Sequence, residues 1–273
     1  MRSRIVPVAM ALLAGLACSR GQTSSSPLQR APDRAVEAGS ATMEVTSDVS
    51  VARDEGTLAT VARGEGVVDF TARRARATLT ASQESDRTAQ TRPCEVVMDA
   101  DRAFLRIPES HRQAHGEKAW MRLEAVANNA LDINWVLVEP TLSLDHMRAA
   151  GSTAARVGTE DVRGARTTRY RFTVTVKELI EALPPPRRAA TESRLEQLRV
   201  SEVTAEAWID DGGRPRRLVT DTSSSDRRFS MKTTTELLEY GRPVEIELPP
   251  TEETVRAPDQ RPAFAVCFGQ STS

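Results

Sequence analysis

Lysine is nearly absent: Lys118, Lys177 and Lys232 are the only three, and every other one of the 37 basic residues is arginine. Set against 38 acidic residues, they leave a formal net charge of -1. A nucleic-acid partner requires a basic surface to neutralise phosphates, and this balance supplies none. The arginine bias points to a high-GC genome rather than to a binding function. Aromatic residues make up only 4% of the chain, so a core must be built from Val, Leu, Ile and Ala. Long hydrophobic runs are also missing. The apolar stretch from Ile5 to Ala17 is interrupted by Pro7 and Gly15 and falls short of the roughly 20 residues that span a bilayer.

That stretch has another meaning at its position. Arg2 and Arg4 precede it with no acid, and small residues and Cys18 follow it. A basic start, a short apolar region and a small residue before a cut make a secretory signal. Gly15-Leu16-Ala17-Cys18 further suits a lipoprotein signal, in which Cys18 takes an acyl lipid of the palmitate kind. Ala17 and Cys18 fit that motif, whereas Gly15 and Leu16 depart from its preferred pair. The alternative is ordinary cleavage near Ala17 with Cys18 an incidental thiol. Without Arg2 and Arg4 the exported chain carries 35 basic and 38 acidic residues, close to neutral. Residues 1–17 are thus expected to be the signal. Residues 18–40, rich in Ser, Gln, Pro, Gly and charge, are expected to form a disordered tether.

Three cysteines complete the scarce residues: Cys18, Cys94 and Cys267. If Cys18 carries a lipid, Cys94 and Cys267 remain as an even pair in an oxidising compartment, where a disulfide between them is expected. Two buried or free thiols are the alternative.

Beyond residue 40 the pattern is mostly strand. Thr42–Val49, Thr57–Ala62, Val67–Phe70, Ala75–Ala81, Cys94–Met98, Ala103–Ile107 and Ala119–Leu123 are short alternating runs between Gly, Asp and Pro turns, the pattern of an antiparallel meander. Gly64-x-Gly66 reads as a turn or bulge. Apolar residues at helical spacing follow Pro140 up to Gly151. Strands are expected at Ala155–Val157 and Thr167–Val174, around a turn at Val162-Arg163-Gly164. Val176, Leu179, Ile180 and Leu183 then recur at helical spacing until Pro184-Pro185-Pro186, and a second helix runs from about Arg187 to Arg199 with Leu195 and Leu198 on one face. Val203–Ile209, the turn at Asp210–Gly213, Arg217–Thr222 and Phe229–Tyr240 return to strands. Val244–Leu248 is expected as an edge strand. Strands, a helical insert and strands again imply an α+β arrangement, one sheet with helices on one side. Residues 41–250 form that domain and 251–273 a C-terminal tail.

Several segments, in order, carry a family resemblance: Gly64–Phe70, Lys118–Met121, Val157–Glu160 with Val162–Gly164 and Thr167–Tyr170, Ala207–Arg217, and Tyr240–Val244 with Pro249-Pro250. Together they resemble the LppX/LprG family of actinobacterial cell-envelope lipoproteins, whose fold is similar to that of the LolA and LolB carriers. The resemblance covers about Ala41 to Pro250 and implies a strongly bent antiparallel sheet, a half-barrel, whose concave face is covered by helices and encloses an apolar cavity for lipid or glycolipid acyl chains. It does not extend to the tail with Cys267. Val68, Phe70, Trp120, Leu179, Ile180, Leu183, Leu195, Leu198 and Trp208 are the residues expected to line such a cavity. A packed core uses the same residue types, and core packing is the plainer reading of Trp120 and Trp208. Trp135, in an apolar stretch before the helix, is a lid element or another strand.

Chemistry is hard to find. His111 and His115 are four apart, but they sit between strands beside Gly116 with no carboxylate in zincin spacing, and a solvated loop explains them. His146 is expected at a helix surface. No Gly-x-Ser-x-Gly elbow is present, and Asp210-Asp-Gly-Gly lacks the glutamate of a calcium loop. No catalytic residue, metal or cofactor is expected. The function implied is non-enzymatic: a lipid-anchored protein on the outer face of the cell membrane that carries or presents an amphiphile. Its partners would be the lipid, the membrane and an envelope transporter that the sequence does not identify. A ligand-free scaffold or sensor of the same fold is the alternative.

Overall fold

The computed structural model describes residues 26–54, 56–83, 93–99, 102–124, 140–150 and 154–257. The export signal, Cys18, Trp135 and Cys267 lie outside the described residues.

Helix α1 (Pro27–Ala38) leads into β1 (Ser40–Arg53), β2 (Gly56–Asp69), β3 (Arg74–Gln83), β4 (Cys94–Asp99) and β5 (Arg102–Arg106). The short helix α2 (Glu109–Arg112) precedes β6 (Trp120–Glu124), and α3 is Pro140–Ala149. Then come β7 (Ala155–Val162), β8 (Ala165–Thr175), α4 (Val176–Ala182), α5 (Pro185–Gln197), β9 (Glu202–Asp210), β10 (Pro215–Ser223), β11 (Phe229–Leu238) and β12 (Thr254–Arg256). All twelve strands join one sheet in the order β12-β6-β5-β4-β3-β2-β1-β11-β10-β9-β8-β7. Every pairing is antiparallel except that of β12 with β6. Two meanders are stitched together where β1 meets β11, in register from Thr42 opposite Leu238 to Val51 opposite Phe229. Sheet and helices make the α+β half-barrel: a curved, unclosed sheet whose inner face packs on α1, α3 and α4.

Because side chains alternate across a strand, the registers fix which residues share the inner face. Ala41, Met43 and Val45 of β1 sit opposite Val68, Gly66 and Gly64 of β2. These continue into Ala75, Ala77 and Leu79 of β3. Leu28, Ala31 and Ala35 of α1, Leu144, Met147 and Ala150 of α3, and Leu179 of α4 complete this cluster from the helix side.

Four expectations need correction. Residues 18–40 are not a disordered tether throughout. Ser26 caps α1 with a reciprocal box, its hydroxyl accepting from the Gln29 amide while the Gln29 side chain accepts from the Ser26 amide. Pro27 occupies the first turn, where its missing N–H costs nothing. Leu28, Ala31 and Ala35 then fall on one face and are wholly buried.

Gly64-x-Gly66 is neither turn nor bulge but the interior of β2, paired without a register shift on both sides. Val244–Leu248 is not a strand. It is irregular, and it crosses the outer face of the sheet, where Ile246 and Leu248 cover Val97, Phe104 and Trp120. The domain also continues past Pro250: β12 pairs with β6, and the Ala119 amide donates to the Glu253 carbonyl at 3.0 Å.

The helical insert follows its sequence more closely. α4 begins with a second capping box, Thr175 with Glu178, and ends before Pro184. The three prolines also start the next helix, so α5 opens at Pro185 rather than Arg187. The turn at Val162–Gly164 joins β7 to β8. Asp210 closes the β9–β10 turn, its side chain accepting from the Arg214 amide at 2.9 Å.

Candidate functional site

The hollow of the half-barrel is apolar and built on small side chains where it bends most. An added Cβ on Gly66 would lie 2.1 Å from the Arg76 carbonyl oxygen and 2.7 Å from the Ala77 Cα. On Gly64 it would meet the Leu79 side chain at 2.6 Å. Neither glycine has positive φ, so the requirement is steric: at Gly66 the β3 backbone leaves room for nothing larger than hydrogen, whereas at Gly64 the obstacle is the movable end of the Leu79 side chain. Ala62, Ala75, Ala77 and Ala81 extend the same small-residue floor.

Among the residues expected from sequence, Val68, Phe70 and Leu179 are buried in the main inner cluster. Phe70 lies just past β2, its amide donating to the Gly39 carbonyl at 2.8 Å and its ring stacked on Tyr240 with centroids 6.2 Å apart. Leu183 is buried and Ile180 half-buried. Leu198 packs, with Val51 and Val176, against a second cluster made of Val49, Val200, Phe229 and Met231. Leu195 touches both clusters. The inner face thus carries two apolar compartments, each a cluster of packed side chains, with Leu195 of α5 touching both.

Trp120 and Trp208 are elsewhere. Met121 and Leu123 point inward, so Trp120 between them points outward, beneath Ile246 and with the Arg106 guanidinium 4.9 Å from its ring centroid. Ala207 and Ile209 point inward, so Trp208 lies on the outer face between Arg169 at 5.0 Å and Arg217 at 5.4 Å. The signal for this was present: Val203, Ala205, Ala207 and Ile209 share one parity, and Trp208 shares the other with Glu206. His146 also differs from expectation, being buried rather than at the helix surface. His111 and His115 lie in a short helical segment rather than an open loop. Among the described residues no group of three His, Cys, Asp or Glu side chains is placed to hold a metal ion.

The outer face around Trp208 is a ladder of paired charges. Glu236 accepts from Arg217 at 2.7 Å and from Arg163, delivered by the β7–β8 turn, at 2.9 Å. Glu206 accepts from Arg169 at 2.6 Å and from Arg171 at 2.7 Å, while the Trp208 indole donates to Glu160. Burial pushes the Glu236 carboxyl up, but the hydrogen bonds from Arg217 and Arg163 and their charges outweigh it and hold the group below the ordinary carboxylate range. Glu206 is lowered by the same balance, with Arg171 and Arg169 as its partners.

A lowered folded-state value stabilises the fold above the ordinary value of 4.5, and that contribution is lost as pH falls through the lowered value. Wild-type stability therefore declines below about pH 4.5. Glu236→Gln costs on the order of 1–3 kcal/mol at neutral pH, the scale of a charge-assisted hydrogen bond, and flattens the acid decline. Urea titrations between pH 3 and 7 measure both; parallel curves for the two proteins would rule out this role.

The curved sheet, its helices and the charge-laced exterior define an α+β half-barrel domain. No known protein family and no curated protein matches the chain. Its fold is similar to that of solved lipoproteins. Lipoprotein LppX of Mycobacterium tuberculosis is 14% identical, with 82% of this chain and 100% of that one covered at a TM-score of 0.44. LprF of Mycobacterium bovis is 12% identical, with 82% and 98% covered and a TM-score of 0.41. A Vibrio parahaemolyticus domain described as belonging to an outer membrane lipoprotein-sorting protein is 8% identical, with 80% and 92% covered at 0.32.

Proposed function

We propose that this chain is an exported, lipid-anchored protein of the cell envelope that binds acyl chains of a lipid or glycolipid in its hollow and carries or presents them, without catalysis. The observation that carries this reading is the inner face itself, apolar on both meanders and rich in small side chains. Each methylene buried there gains about 0.8 kcal/mol, so a single long chain supplies micromolar affinity or better without any specific polar contact. Val68, Phe70, Leu179, Ile180, Leu183, Leu195 and Leu198 are the wall residues in this reading. Trp120 and Trp208 are not.

Membrane attachment is assigned to Cys18, following the export signal at residues 1–17. The helix cap Ser26 lies eight residues after Cys18, so the link between them is short. At about 3.5 Å per residue it reaches less than roughly 30 Å, which keeps the domain beside the bilayer from which a lipid would be drawn. Cys94, which is buried, is assigned Cys267 as its disulfide partner, because with Cys18 acylated these two are the even pair left in an oxidising compartment.

Mass spectrometry of the full-length protein expressed with its own signal tests these assignments together. Under native conditions a lipid adduct is expected. Under denaturing, non-reducing conditions the chain is expected to lack residues 1–17, to carry acyl mass on Cys18 and to contain a Cys94–Cys267 peptide. A protein that is always empty overturns lipid binding and leaves the ligand-free scaffold; an unacylated Cys18 overturns the anchor alone.

A further inference from the structure

The two apolar compartments of the hollow are separated by a band of hydroxyls. On the inner face Ser47 of β1 lies opposite Thr233 of β11, and Thr233 lies opposite Thr220 of β10. The row on one side runs Val45, Thr235, Leu218, and its two apolar members belong to the main cluster. The row on the other side, Val49 with Met231, belongs to the second, and it continues into Thr222. Ala62 and Ala205 flank the band in register, and Phe172 follows beyond Ala205.

These positions do not require hydroxyls for the sake of the strand. Valine has the same shape and equal or better strand preference, and a hydroxyl taken out of water without a partner is costly. Ser47 and Thr233 satisfy each other at 3.0 Å. Thr220 and Thr222 are equally inward and nearly as buried, at 8% and 5% exposure, yet they form no hydrogen bond among the described residues. Two donors therefore face inward, Thr220 within the band and Thr222 one row beyond it beside Met231.

We infer that Thr220 and Thr222 are a polar subsite that receives the ester carbonyls of a bound lipid, with its acyl chains in the compartments on either side. This rests on the lipid-binding reading above and deepens it: the hollow takes ester-linked amphiphiles in preference to plain or ether-linked chains. A carbonyl oxygen accepts from a threonine hydroxyl, whereas an ether oxygen is a far weaker acceptor and an alkyl chain offers nothing.

Displacement of a fluorescent fatty acid from the full-length protein tests the inference, with 1,2-dioleoylglycerol and its chain-matched dioleyl ether as competitors. The wild type is expected to bind the diester about tenfold more tightly, as two hydrogen bonds to satisfied acceptors would give. In the shape-conserving variant Thr220→Val/Thr222→Val the two competitors bind within about twofold of each other. Thr220→Ser/Thr222→Ser, which keeps the hydroxyls, restores the preference. A wild type that does not distinguish ester from ether overturns the subsite, and that comparison needs no variant to fold. A preference that persists in the valine variant overturns the residue assignment. If neither lipid displaces the probe while the protein is folded by circular dichroism, the lipid-binding reading itself fails.

Discussion

Gly66→Ala is expected to cost about 3 kcal/mol or more, the upper end of the range for overpacking a filled site. The new methyl would sit 2.1 Å from the Arg76 carbonyl oxygen and 2.7 Å from the Ala77 Cα. Both obstacles are backbone, so no rotamer change relieves them; β2 and β3 must part where Gly66 pairs with Ala77. With total stability of the order of 5–15 kcal/mol, such a loss leaves the protein partly unfolded or lowers its urea midpoint severely. Gly158→Ala is the matched control. It lies at the irregular register of β7, an added Cβ there meets nothing within 4 Å, and its φ is ordinary. That substitution is expected to change stability by less than about 0.5 kcal/mol. Equal midpoints for the two variants in urea denaturation would disprove the close approach of β2 and β3.

The second large effect lies in α1. Leu28→Ala is expected to cost about 2–5 kcal/mol, because a wholly buried side chain is removed from a filled core. A disordered tether at the same position would predict no change at all. Val36, on the exposed side of the same helix at 39% exposure, is the internal comparison: Val36→Ala removes little burial and gains helix propensity. Thermal unfolding followed by circular dichroism separates the possibilities. If both variants melt with the wild type, α1 is not part of the folded unit, and the short-spacer geometry of the anchor falls with it.

These two cases show where sequence reading failed for different reasons. For α1 the local signals were all present. Ser26 and Gln29 make a capping box, Pro27 suits the first turn, and Leu28, Ala31 and Ala35 recur on one face. They were outweighed by a polar composition, since four charged residues and two prolines fill half of its 12 positions. A helix of this kind has no stability of its own; it is ordered by the hollow it caps. Gly64 and Gly66 were misread for the opposite reason. Glycine is a common sign of a turn, and only the inner curvature of two paired strands makes it obligatory inside one.

The strands, the turns at Val162–Gly164 and Asp210–Gly213, the helical spacing of α4 and the α+β order of elements were determined by sequence alone. They rest on contacts between residues close along the chain: alternation, capping and turn preference. Even the outward parity of Trp120 and Trp208 was written there, beside Arg122 and Glu206, and was hidden only by the size of the ring. The tertiary structure decided what no local pattern contains. It joined the two meanders through β1 and β11, brought Ser47, Thr233 and Thr220 into one row from positions up to 186 residues apart, and drew α1 and β12 into the domain. Register between distant strands depends on which partner buries the most surface, and that comparison exists only once the whole sheet has curved around its helices.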